Sequence, residues 1–141
     1  MTPSGRGRRP APKARPAEDS RALAAEAAAE AVDRKGQDVM LLDLRELTSA
    51  TDWFLLATGE SDVQVRSIAD RIEERLRERH GVRPWHVEGL QHARWVLLDY
   101  IDFVVHVFHR EARDYYLLER LWADAPSESF PPQAESRQAS S

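Results

Sequence analysis

Two acidic residues at the centre of the most apolar stretch, with one nearby histidine, are the groups whose type and spacing could support chemistry. Asp99 and Asp102 lie between two apolar runs, 95–98 and 103–108, and His106 falls within the second run. A carboxylate pair of this kind could perform acid–base chemistry or hold a metal ion. Alternatively, the aspartates flank a turn, where Asp is favoured because its side chain accepts hydrogen bonds from nearby backbone amides. We favour the turn.

The histidines do not form a pattern that indicates a metal site. His106 and His109 have a three-residue spacing that suits a helix-borne site, but they fall on a strand and just past it, where that spacing directs side chains to opposite faces. His106 lies among valines, so it is predicted to be a hydrogen-bonded core residue. The remaining histidines are scattered over a helix end, a strand and a turn: His80, His86 and His92. We therefore expect no metal and no cofactor.

The sequence contains no dinucleotide-binding glycine motif, phosphate loop, nucleophile elbow or zinc-protease motif. A Gly59-Glu60-Ser61 segment before a predicted helix is similar to the start of a nucleotidyltransferase site. Those enzymes hold magnesium with closely spaced carboxylates on the next strand, because a hard cation that bridges phosphates needs several oxygen ligands. Here the next strand offers Glu88 alone. We expect no enzyme, and a divergent nucleotidyltransferase that uses Ser61 and Asp99 is the alternative.

Two aromatic residues beside the acids admit two interpretations. Aromatic side chains in strands usually belong to the core. However, Trp95 opens its strand and Tyr100 lies at the turn, so both are near the rim of the predicted sheet. Exposed aromatics beside acids have the composition of a protein-contact hot spot. The residues by themselves leave the core interpretation and the contact interpretation open.

Length and charge limit the class of protein. A chain of 141 residues is long enough for one domain, and the absence of cysteine excludes disulfides, thiolate zinc sites and cysteine nucleophiles. No apolar stretch approaches the length of a membrane helix, so we expect a soluble protein. The net charge is −4 although residues 1–17 carry five basic residues and no acid, so the remainder is distinctly acidic. An acidic body suits a basic protein partner better than nucleic acid.

Apolar periodicity and turn residues predict an α/β fold with a mixed sheet of about five strands and three helices, in a single domain spanning residues 18–124. Residues 1–17 are predicted to be a disordered basic, Pro- and Arg-rich tail, and residues 125–141 a disordered C-terminal tail. Helices are expected from Asp19 or Ser20 to Gly36, from a Ser61/Gln64 capping box to Gly81, and from Glu111 to before Pro126. The predicted strands are 38–44, 53–58, 82–88, 95–98 and 103–108. The second helix is expected to connect parallel strands.

Several fragments, taken together and in order, are similar to the ribosomal silencing factor RsfS (Iojap) family. The resemblance covers residues 20–124 of the predicted fold. The fragments are Lys35-Gly36-Gln37-Asp38, Thr51-Asp52-Trp53-Phe54, residues 59–70 from Gly59-Glu60-Ser61 onward, Val87-Glu88-Gly89, Trp95-Val96-Leu97-Leu98-Asp99-Tyr100, residues 102–108 and residues 116–122.

The resemblance implies a nucleotidyltransferase-like fold without the enzymatic residues, and a translational repressor. Members of the family bind the large ribosomal subunit at ribosomal protein 14 and sterically block joining of the small subunit when nutrients are short. The resemblance places the partner-binding surface at five residues: Trp95, Val96, Asp99, Tyr100 and Asp102. Because the ribosomal partner is basic, we expect the two aspartates to pair with its cations and the two aromatics to supply apolar contact area.

One departure from the family lies inside this surface. The family commonly has Gly between the tyrosine and the second aspartate, where this chain has Ile101. Because a β-branched residue strongly resists positive φ, we expect the turn to take another backbone form, or not to need glycine.

Other interpretations remain open at the level of sequence. The protein could be an assembly factor for the large subunit or a homodimer, and its basic tail could touch ribosomal RNA or serve as an organelle transit peptide. We expect a bacterial cytoplasmic protein with no membrane partner.

Overall fold

The computed structural model describes residues 15–116 and 123–130 as a six-stranded mixed sheet with three helices. The α/β prediction is confirmed, with one strand more than expected. In chain order the elements are α1 (Ala17–Asp33), β1 (Gln37–Asp43), β2 (Trp53–Gly59), α2 (Asp62–His80), β3 (His86–Glu88), β4 (Trp95–Asp99), β5 (Phe103–His109), α3 (Arg110–Tyr116) and β6 (Ser127–Phe130).

Strands β4 and β5 are adjacent and antiparallel, as the sequence predicts. The strand order of the sheet is β3-β4-β5-β2-β1-β6. The β4–β5 hairpin is antiparallel, and β5 pairs in parallel with β2. The connection from β2 through α2 leads to β3, which runs parallel to β2 but is separated from it by β5 and β4. The expected parallel crossover is therefore present, although its two strands are not neighbours.

The sixth strand lies in a segment that the sequence assigns to a tail. Residues 127–130 form β6, which pairs antiparallel with β1, and Phe130 packs against the main core. The prediction that all of residues 125–141 form a disordered tail is thus wrong for these four residues. The predicted last helix is described from Arg110 to Tyr116, and its continuation over residues 117–122 lies outside the described residues.

Helix α2 follows from local signals. The Ser61 Oγ accepts a hydrogen bond from the Gln64 N–H at 3.1 Å, as expected for a capping residue. The Gln64 Oε1 accepts from the Glu60 N–H rather than from that of Ser61, and its Nε2 donates to the Arg34 and Lys35 carbonyls. One side chain therefore caps α2 and ties it to the end of α1. The apolar face is buried as predicted: Val65, Ile68, Ala69, Ile72 and Leu76.

Helix α1 begins earlier than predicted, and its expected capping residue has another role. The helix starts at Ala17 after Pro16, which makes no side-chain cap. Ser20 is buried instead, and its Oγ accepts a hydrogen bond from the Trp53 Nε1 at 3.1 Å. A row of alanines lets the helix approach closely: Ala24, Ala27, Ala28 and Ala31 are fully buried. Both α1 and α2 pack on one face of the sheet.

No helix among the described residues is long and apolar enough to cross a membrane.

Candidate contact surface on strand β4

Strand β4 presents alternate side chains to the two faces of the sheet. Val96 and Leu98 are buried in the core beneath α1 and α2. Trp95, Leu97 and Asp99 point to the opposite face and are partly exposed. Cross-strand register pairs these three with Phe108, His106 and Val104 of β5, in that order. Two of the five predicted site residues, Trp95 and Asp99, therefore lie on the second face of the sheet.

The surface formed by Phe54, Trp95, Leu97, Asp99 and His106 is called the Trp95 face below. The Trp95 Nε1 donates a hydrogen bond to the His106 Nδ1 at 3.0 Å. Phe54 meets the His106 ring edge-on, with ring centroids 4.5 Å apart. Because the indole is held from below by one specific hydrogen bond, the orientation of Trp95 is fixed before any partner arrives.

His106 is the buried centre of the Trp95 face. Its side chain is 4% exposed, and the prediction of a hydrogen-bonded core histidine is confirmed. Burial lowers the pKa of His106 to about 3, so the ring is neutral near pH 7. Because Nδ1 accepts from Trp95, the ring proton must be on Nε2. That Nε2 has no hydrogen-bond partner among the described residues.

Asp99 shapes the turn that joins β4 to β5. Its Oδ1 accepts a hydrogen bond from the Ile101 N–H at 2.8 Å, which confirms the turn interpretation for this residue. The Tyr100 carbonyl accepts from the Asp102 N–H at 2.8 Å, and Ile101 between them has φ = 75°. This is a γ-turn with a left-handed central residue, a strained form. The expectation that Ile101 avoids positive φ is therefore wrong, since the hairpin imposes the conformation that glycine adopts freely.

Replacing Ile101 with glycine is expected to stabilise the protein relative to replacement with alanine. A left-handed conformation costs a residue with a Cβ about 1–2 kcal/mol, whereas glycine is elsewhere about 0.5–1 kcal/mol worse than alanine. Ile101→Gly should therefore exceed Ile101→Ala by about 0.5–1 kcal/mol in free energy of unfolding, measured by urea denaturation. If alanine is the more stable variant, the turn is not strained at this residue.

Tyr100 and Val96 lie beneath the surface. Tyr100 is 3% exposed and stacks on Phe103, with ring centroids 4.7 Å apart. Burial raises the pKa of its hydroxyl. Val96 is fully buried. The expectation that Tyr100 offers an exposed aromatic ring is thus wrong: a position beside a turn does not determine on which face of the sheet a side chain lies, and this ring packs into the core.

Asp102 is also buried, and its partner comes from the predicted tail. Its side chain is 2% exposed, and its Oδ2 accepts a hydrogen bond from the Arg15 Nη1 at 2.8 Å. The other oxygen, Oδ1, is buried and has no partner among the described residues. Asp102 is therefore held by a distant cation, which corrects its interpretation as a turn-capping residue. Sequence reasoning missed Arg15 because no local pattern links residues 87 positions apart.

The two residues of the nucleotidyltransferase alternative lie at opposite ends of the sheet. Gly59, just before Ser61, pairs with His109 at one end of β5, whereas Asp99 pairs with Val104 near the other. These two positions on β5 are five residues apart, which corresponds to about 16 Å along the strand. Ser61 and Asp99 are therefore too far apart to act on one phosphate. Within the described residues, no group of three or more His, Asp or Glu side chains could hold a metal ion.

Fold and surface together define a class: small α/β domains with two long helices on one face of a mixed sheet and, on the other face, a short helix beside a partly exposed, strand-borne aromatic surface. The family model described as ribosomal silencing factor during starvation matches residues 17–141. The chain belongs to this family.

Named relatives and solved structures agree with this assignment. The ribosomal silencing factor RsfS of Bacillus subtilis is 45% identical over 100 residues, which cover 71% of this chain and 84% of the relative. That of Halalkalibacterium halodurans is 42% identical over 95 residues, 67% of this chain and 80% of the relative. A crystal structure of a Chromobacterium violaceum protein superposes with a TM-score of 0.69 at 35% identity, covering 87% of this chain and all of that one.

Proposed function

We propose that this protein is a translational repressor that acts in the bacterial cytoplasm under nutrient limitation. It binds the large ribosomal subunit at ribosomal protein 14 and occupies space that the small subunit needs. Family membership supports the ribosomal role, and the observation that carries the mode of action is the Trp95 face. There a half-buried indole, fixed by His106, lies on the same strand as the partly exposed Asp99 carboxylate.

The chemistry of this surface fits a basic protein partner. Trp95, Leu97 and Phe54 provide partly exposed apolar area, which binding can remove from water. Asp99 adds a carboxylate at the rim of that area, where a Lys or Arg of the partner can pair with it. The chain as a whole is acidic, with a net charge of −4, which favours encounter with a cationic protein.

By burial, the five proposed contact residues comprise two partly exposed residues, Trp95 and Asp99, and three buried ones, Val96, Tyr100 and Asp102. Trp95 and Asp99 are the residues that we propose to contact the partner directly. Val96 and Tyr100 anchor β4 and its turn to the core, so they act as positioning residues for that surface. Asp102 binds a partner cation only after Arg15 has left the Asp102 carboxylate. Fewer residues are therefore proposed to contact the partner directly than the resemblance implies.

Subunit joining with purified ribosomal subunits tests the proposal. Large subunits are incubated with the full chain, small subunits are added, and light scattering follows formation of the complete ribosome. We expect joining to fall as the protein is titrated, and sedimentation to find the protein with large subunits only. Undiminished joining at saturating protein would overturn occlusion. Sedimentation with large subunits but normal joining would instead favour an assembly factor.

A further inference from the structure

The contact between Arg15 and Asp102 joins the segment just before α1 to the turn between β4 and β5. Arg15 precedes α1, and Asp102 lies at the hairpin that ends β4. The guanidinium is 32% exposed, whereas the carboxylate 2.8 Å away is 2% exposed. Arg15 is therefore the more exposed partner of a buried carboxylate, and a cation that binds the same oxygen must displace it.

Half of the hydrogen-bonding capacity of Asp102 is unused. Oδ2 is bound by Arg15, while Oδ1 is buried and has no partner among the described residues. A buried carboxylate oxygen without a donor is costly, so the site favours a cation that satisfies both oxygens at once. The 2.8 Å contact from Arg15 satisfies Oδ2 but provides no donor for Oδ1.

We propose that Arg15 is a tethered competitor that occupies Asp102 in the free protein and is displaced by a Lys or Arg side chain of the ribosomal partner. The inference rests on the proposed function and adds its regulation. Because Arg15 belongs to the same chain, it competes at a high effective concentration, and the partner binds the displaced form alone.

Competition predicts that loss of Arg15 strengthens binding. Affinity of the full chain for purified large subunits is measured by titration of a fluorescently labelled protein. Arg15→Ala should bind about three- to tenfold more tightly, since removal of a competitor that fills most of the sites restores the intrinsic affinity. Arg15→Lys, which keeps a cation, should bind more like the parent chain. Unchanged or weaker binding of Arg15→Ala would overturn the competition.

Arg21→Ala is the matched control. It removes one positive charge from α1 and breaks an ion pair between two exposed side chains, Arg21 and Glu128, so the change in net charge is the same as in Arg15→Ala. It should leave affinity within about twofold of the parent, because exposed pairs contribute little. An equal gain in Arg21→Ala would assign the effect to net charge and overturn the role of Arg15. In an Asp102→Asn background, Arg15→Ala should produce no gain.

Two further measurements separate this inference from a structural role and from the proposed function. A purely structural ion pair predicts that Arg15→Ala lowers both the melting temperature and the affinity, whereas competition predicts that affinity rises even if the melting temperature falls.

In the isolated protein, the Arg15 side-chain NMR signals should shift in Asp102→Asn. Unshifted signals would overturn the contact itself, whereas failure of the parent chain to bind large subunits would overturn the proposed function.

Discussion

Trp95→Ala is expected to weaken binding to the large ribosomal subunit by at least about 30-fold, the loss typical of a central aromatic hot-spot residue. The indole lies on the exposed side of β4, held by the His106 Nδ1 and packed on Phe108 with ring centroids 5.1 Å apart. A partner that covers it removes a large apolar surface from water without first having to order it. The loss is measured by co-sedimentation and by titration of labelled protein.

Two further variants isolate the contribution of the indole. Val63→Ala truncates a 70% exposed apolar side chain on α2, across the sheet from the Trp95 face, and should leave affinity unchanged. Trp95→Phe keeps apolar area but removes the N–H donor to His106, so it should fall between the parent chain and Trp95→Ala. Circular dichroism must show Trp95→Ala to be folded. A folded Trp95→Ala that binds normally would move the contact surface away from β4.

The parts of the fold that sequence predicted well have local causes. Helix α2 has its N-cap Ser61, its apolar period and its terminal Gly81 with φ = 67° within one continuous stretch. The β4–β5 hairpin is likewise two apolar runs around a short turn. Each signal acts over a few residues, so its structural consequence can be inferred without knowing the rest of the fold.

The parts that sequence missed depend on distant partners. Strand β6 is Ser127-Glu128-Ser129-Phe130, a composition without strong β propensity, and it becomes a strand by pairing with the edge of β1. Arg15 is likewise ordered by a carboxylate far along the chain. The local sequence of either segment does not indicate its distant pairing partner.

The sequence located the candidate site on β4 and its turn, but it did not show which of the site's side chains are exposed and which are buried. In β4 both parities of the strand are apolar, so alternation could not decide which side chains face the helices. The structure decides it: Val96 is buried, whereas Trp95 and Asp99 remain partly exposed. Tyr100 follows the strand but stacks on Phe103 inside the core. A turn position therefore predicted nearness to the rim, but not exposure.

Acid is expected to destabilise this protein through His106, and His106→Phe is expected to remove that effect. Burial lowers the pKa of His106 from 6.5 to about 3 in the folded chain. Above pH 6.5 the ring is neutral in both the folded and the unfolded state, so it adds no pH dependence. Below that value the unfolded chain takes up a proton that the folded chain cannot, and the free energy of unfolding falls by about 1.4 kcal/mol per pH unit.

The window from pH 6.5 to pH 4.5 is the informative one. The pKa of Glu26 is also lowered in the folded state, against the opposing effect of its own burial, by hydrogen bonds and charge interactions with His80 and Arg79. That carboxylate contributes stability that is lost as pH falls below its ordinary value of 4.5. Measurements above pH 4.5 therefore report mainly on histidine, and His106 should account for about 2–3 kcal/mol across the window.

Urea denaturation at a series of pH values measures this slope. The parent chain should lose stability from pH 6.5 downward, whereas His106→Phe should give a nearly flat profile over the same range, whatever its stability at pH 7.5. His92→Gln, which changes an exposed histidine, should follow the parent. Equal slopes for the parent and His106→Phe would mean that protons reach the ring in the folded state. Because the ring of the folded chain stays neutral throughout this window, Nδ1 continues to accept from the Trp95 indole. Acid therefore lowers the fraction of folded protein, while each folded molecule keeps the orientation of the residue on which partner binding depends.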